Sequence, residues 1–113
     1  MAVSSSFRDF VLESFSQVLP VTSRPMMGGL TIFHDGRAFA LIAEDRLYLK
    51  VDVTNRADFE AQGMGPFYPF GDTTKPMSYW ELSADLLEDP EELAPWLHKA
   101  IAVAAKTKKK TGR

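Results

Sequence analysis

Between Ser5 and Leu19 the large apolar side chains fall at Phe7, Phe10, Val11, Phe15 and Val18. That spacing marks one face of a helix. Ser4 to Ser6 are candidate N-caps. Pro20 ends the pattern, because the residue before a proline avoids the helical region. The period then changes to two. In LTIFHDGRAFALIA, from Leu30 to Ala43, two β-rich runs flank Asp35-Gly36. Such a pair between apolar runs predicts a type I′ hairpin, whose central residues both need positive φ. A short turn at Glu44-Asp45 leads into RLYLKVD, where Leu47, Leu49 and Val51 alternate with Tyr48 and Lys50. This is the signature of a half-buried antiparallel strand. Residues 30–52 therefore read as a three-stranded meander.

Further along, Thr54 can cap a short helix, NRADFEAQ, which Gly63 closes at the C′ position. Phe67 to Phe70 can form a short strand, confined to an edge by Pro69. Gly71 to Pro76 reads as a loop. Met77 to Leu82 reads as a strand with Met77, Tyr79 and Glu81 on one face and Ser78, Trp80 and Leu82 on the other. The last element is a helix. Asp89 is its N-cap, Pro90 its first residue, and Leu93, Trp96, Leu97, Ala100, Ile101 and Ala104 keep helical spacing. Pro95 lies close enough to its start to bend it. The expected order is α-β-β-β-α-β-β-α. That is an α+β fold, an antiparallel sheet with helices mainly on one face.

Composition changes this picture little; charge changes it more. The 113 residues suit one domain. With no cysteine, disulfides, thiolate nucleophiles and cysteine zinc sites drop out together. The N-terminus, MAVSSSFRDF, lacks the basic and apolar regions of a signal peptide. The longest apolar runs, Ala38 to Ala43 and Ala100 to Ala105, are far short of the ~20 residues of a membrane span. A cytoplasmic protein is expected. Lys106, Lys108, Lys109, Lys110 and Arg113 crowd into the last eight residues. Taking these five from the thirteen basic residues leaves eight against fifteen acidic ones, a net charge of −7. An acidic body, residues 1–105, thus carries a basic tail, residues 106–113.

Several pieces together resemble the N-terminal domain of the TfoX family, regulators of competence genes also called Sxy. They are Arg24, Met26, Gly28 and Gly29; Asp35-Gly36; Leu47 to Asp52 in LYLKVD; and Ser78 to Leu82 in SYWEL. The resemblance covers about residues 20–105. It implies a fold similar to that of secretion chaperones, often dimeric, and a role in regulating gene expression. It supplies no catalytic residues. Competence regulators of this name carry a second helical domain after this one. Here the basic run stands in that place, so DNA engagement by that domain is not carried over.

The candidate sites follow from the residues themselves. RPMMGGL is neither a P-loop nor a dinucleotide loop: the glycines lack the spacing, and a strand follows. Two adjacent glycines at a strand entrance allow a bulge or close backbone packing. Alternatively, Arg24 with the amides around Gly28 and Gly29 can bind an anion or a partner's carboxylate. Phe67, Tyr68, Phe70, Tyr79 and Trp80 form either a contact surface or part of the core. His34 and His98 have no metal-ligand spacing partner, and neither a metal nor a cofactor is expected. Asp52 or Thr54 is expected to cap the following helix. The five basic tail residues can touch nucleic-acid phosphates. The expectation overall is a non-enzymatic regulatory or protein-interaction domain, a homodimer, with nucleic-acid association through the tail as the alternative.

Overall fold

Helix α1 (Ser5–Ser16) forms where the aromatic stripe predicts it, and it buries Val11, Ser14 and Phe15. The chain then runs through four antiparallel strands in succession. These are β1 (Thr22–Met26), β2 (Gly29–His34), β3 (Arg37–Ala43) and β4 (Arg46–Lys50). A short helix, α2 (Arg56–Ala61), precedes β5 (Tyr79–Glu81), a 3-10 helix (Ala84–Glu88) and the long helix α3 (Pro90–Ala104). The computed structural model describes residues 5–26, 29–66 and 78–106. The strands form one sheet in the order β1-β2-β3-β4-β5, every neighbouring pair antiparallel. The fold is α+β, in the order helix, strands, helix, strand, helix.

Strand β1 is the element that hydrophobic patterning does not predict. Its sequence, TSRPM, has no apolar alternation, and Thr22 to Pro25 are exposed. An edge strand with neither flank buried against a layer has no reason to alternate. It is held by pairing with β2, from Thr22↔Phe33 to Met26↔Gly29. The predicted Phe67 to Phe70 strand lies outside the described residues.

The β2–β3 and β3–β4 turns take the I′ form. Asp35 and Gly36 have φ of 55° and 79°. Glu44 and Asp45, at 53° and 58°, take the same handedness without glycine. A β-bulge lies where Ile32 pairs with Ala40 and the next residue, Phe33, pairs with Ala38. Phe39 is the extra residue. The bulge turns Phe39 and Ala40, adjacent in sequence, both into the interior, where each is fully buried.

The core lies between one face of the sheet and the helices. Leu30, Ile32, Phe39, Ala40, Ile42, Leu47 and Leu49 meet Val11 and Phe15 of α1 and Leu93, Leu97, Ala100 and Ala104 of α3. Phe15 stacks on Phe39 with ring centroids 5.8 Å apart. Helix α2 contributes Phe59, which sits edge-on to Trp96 at 4.9 Å and to Trp80 at 6.4 Å. Helix α3 begins as its sequence dictates. The Asp89 carboxylate accepts from the Glu91 amide at 3.0 Å, with Pro90 at the first position, and the helix runs through Pro95.

The connection from β4 into α2 is built differently from the expected cap. Asn55 occupies the N-cap, but its side chain makes no cap hydrogen bond. It turns back instead. Its Oδ1 accepts from the Asp52 amide at 2.9 Å and its Nδ2 donates to the Lys50 carbonyl at 3.2 Å. Asn55 is 1% exposed, so both ends of a buried amide are satisfied where a strand turns into a helix. Gly63 closes α2 with a φ of 75° and its amide on the Glu60 carbonyl, as the sequence predicts.

Candidate functional site

The described helices all pack on one face of the sheet, and period-two alternation sends the other half of the strand side chains to the opposite face. The register places Arg24, Thr31, Leu41, Tyr48 and Glu81 side by side in one row across all five strands. At about 4.8 Å per strand, the row is about 19 Å wide. Two cations of this helix-free face lie over aromatic rings. Arg24 stands 5.9 Å from the centre of Phe33, and Lys50 stands 5.2 Å from the centre of Tyr79. Arg24 and Phe33 are diagonal neighbours, whereas Lys50 and Tyr79 are directly opposed, so each contact follows from strand register. Arg46 reaches Glu81 on the same face at 3.6 Å.

Tyr48 and Tyr79 are buried on this side of the sheet, each 7% exposed. Burial pushes both phenols above their ordinary pKa, with the Glu81 carboxylate adding to the effect at Tyr48. Both rings are thus neutral around pH 7. Toward β1 the face opens, with Arg24 exposed and Phe33 half-buried. Beside Phe33 runs an open groove of about 540 Å³, walled by Pro20, Val21 and Thr22 on one side and by His34, Asp35 and Gly36 on the other. His34 Nδ1 lies 2.8 Å from the Pro20 carbonyl. A carbonyl can only accept, so Nδ1 carries the proton and the contact ties the two walls together.

Both margins of the sheet are blunted. Pro25 puts a residue without an amide donor in edge strand β1. At the other margin Pro66 bridges to Trp80, and the Glu81 amide bonds the Gly65 carbonyl at 3.1 Å. Strand addition therefore has little free ladder to join, and a docking partner would meet side chains.

Of the residues singled out from sequence, Arg24 and Tyr79 share the helix-free face but stand on opposite edge strands. Trp80 points the other way and packs against the core with Phe59. Gly29 pairs with Met26 to close the β1–β2 hairpin. Gly28, Phe67, Tyr68, Phe70, Lys108, Lys109, Lys110 and Arg113 lie outside the described residues. His98 is exposed on α3. Among the described residues, no three His, Asp or Glu side chains are grouped to hold a metal. Sequence reasoning passed over Phe33, although alternation with buried Leu30 and Ile32 already put an aromatic ring on the outward face.

Lys106, assigned from sequence to the tail, is folded back onto the body. Its Nζ is 2.7 Å from Asp52 Oδ2. Asp52 Oδ1 also accepts from the Thr54 amide and hydroxyl. These bonds, that from Lys106 first, hold the Asp52 carboxyl down at about 2 from its ordinary 3.8. A depressed carboxylate pKa means that the stabilisation from this cluster is complete above the ordinary value and is lost as pH falls through about 2. In Lys106→Ala, carbon-detected NMR titration of the Asp52 carboxyl is expected to show a midpoint moved up toward 3.8. An unmoved midpoint would leave Thr54 as the sole cause.

No curated protein matches this chain. Residues 13–104 match the TfoX N-terminal domain. That stretch holds β1 to β5, α2, α3 and the end of α1, including Arg24, Phe33 and Tyr79, and the chain belongs to the TfoX N-terminal domain family.

Proposed function

We propose that this chain is a non-enzymatic protein-interaction domain with a regulatory role, akin to the competence regulators from which its family is named. The observation that carries the reading is the helix-free face of the sheet, open toward β1 and bearing Arg24 over Phe33. Cation–aromatic pairs on a partly apolar surface are the composition found at the centre of protein interfaces. The blunted margins favour docking by side chains. A homodimer working in the cytoplasm fits this reading, as does the fact that no described helix is long and apolar enough to cross a membrane.

Nucleic-acid association through residues 106–113 is the second reading, favoured by five basic residues in the last eight. The Lys106–Asp52 pair weighs against it, because Lys106 would have to leave a carboxylate to meet a phosphate.

Affinity capture from cell extract, with and without nuclease, separates the two readings. Retention of a protein partner that survives nuclease is expected. Loss of all captured protein on nuclease treatment, or capture of nucleic acid alone, would replace the first reading with the second. Light scattering on the purified chain tests the dimer, for which twice the 12.6 kDa chain mass is expected.

A further inference from the structure

The groove beside Phe33 offers more than a generic contact surface. Arg8, Arg37, Arg46 and Arg56 each have a carboxylate within 4 Å, on Asp9, Asp35, Glu81 and Glu60 respectively. Arg24 is the one described arginine without such a partner, and its guanidinium stays exposed over the Phe33 ring. A guanidinium 5.9 Å from a ring centre, held by the cation–π attraction, keeps its N–H donors free for a carboxylate. On a body of net charge −7, an uncompensated arginine marks a local preference for anions. The surrounding acidic charge is screened over about 8 Å at physiological ionic strength, so contact-range chemistry decides.

We infer that this groove docks an acidic segment of a partner protein, an apolar side chain resting on Phe33 and a neighbouring carboxylate pairing with Arg24. The inference rests on the interaction-domain reading above and names the partner's chemistry. The groove lies open along the surface, which suits a chain segment laid across it; a small molecule needs a site that encloses most of it. Pro25 limits main-chain pairing along β1, so side chains carry the recognition. The His34–Pro20 bond fixes the walls before anything binds. Nδ1 is committed to that bond.

The test is fluorescence anisotropy of the full chain with three labelled probes. They are a synthetic peptide alternating Glu-Glu and Leu-Leu pairs, its Lys-Lys counterpart, and a single-stranded oligothymidylate. The acidic peptide is expected to bind at least ten-fold more tightly than either of the others. Arg24→Glu should weaken it ten-fold or more. Arg56→Glu, on the far layer, should leave it unchanged. Arg24 is exposed and makes no ion pair among the described residues, so the variant is expected to fold, which an unchanged melting curve checks. Phe33→Ser gives a second variant, expected to weaken binding equally at low and high salt. No binding of the acidic peptide, equal binding of the basic one, preference for the oligonucleotide, or indifference to Arg24→Glu would each overturn the inference. If a nuclease-resistant partner is still captured from extract in any of those cases, the interaction-domain reading stands and only the partner's chemistry is wrong.

Discussion

Replacing Phe39 with alanine is expected to destabilise the fold by about 3–5 kcal/mol, the range for removing a fully buried aromatic ring. Domains of this size are stable by only about 5–15 kcal/mol in total, so the variant should lie near the edge of folding. The size of the effect follows from the bulge. In an unbroken β3, Phe39 and Ala40 would face opposite sides. The register shift after Ile32 puts both inside and brings the Phe39 ring 5.8 Å from Phe15, joining β3 to α1. The sheet cannot close over a missing ring without undoing the bulge. Urea unfolding followed by tryptophan fluorescence measures the cost. Phe33→Ala, a ring lost from the half-buried opposite face, is the comparison and should cost less than half as much. Equal costs would mean that Phe39 does not occupy the core.

Asn55→Leu is expected to cost about 2–4 kcal/mol, although leucine is close to asparagine in size. The substitution removes an acceptor from the Asp52 amide and a donor from the Lys50 carbonyl, in a place where Asn55 is 1% exposed and water has little access. Each orphaned buried group costs about 1–3 kcal/mol. Asn55→Asp separates the two bonds. It keeps the acceptor, loses the donor, and sets a carboxylate beside the Lys50 carbonyl, so it should be no better tolerated than leucine at neutral pH. Thr54→Ala, at an exposed hydroxyl, should cost under about 1 kcal/mol. Thermal melts of the three variants rank them; a mild Asn55→Leu would show that the amide is not the clasp between β4 and α2.

These two side chains also show where the sequence spoke and where it did not. Asp35-Gly36, Asp89-Pro90 and the Leu93-to-Ala104 stripe are local signals, and each formed the expected turn, cap or helix because its cause lies within a few residues. The alternation of Tyr79 against Trp80 also gave the correct faces. Strand β1 was illegible because an exposed edge strand with a proline buries nothing to set a period. The bulge at Phe39 was illegible because it is a property of the β2–β3 pairing, and neither strand announces it alone. Asn55 reads as an ordinary helix start, because Thr54 before it can cap; only the placement of the Lys50 carbonyl and Asp52 amide gives its side chain a task. At the candidate site, Arg24 and Tyr79 could be named, but their common face depends on the register of four strand pairs. The role of Phe33 depends on β1 lying beside β2 with Arg24 diagonal to it.

Site-specific photo-crosslinking in living cells tests the claim that this protein works by presenting the helix-free face, and it works whatever the partner turns out to be. Benzoylphenylalanine placed at Thr22, exposed on β1 beside the groove, is expected to capture a protein on irradiation. The same group at His98, exposed on α3, is expected to capture none. Adducts from position 98 with none from position 22, or adducts to nucleic acid alone, would contradict the account.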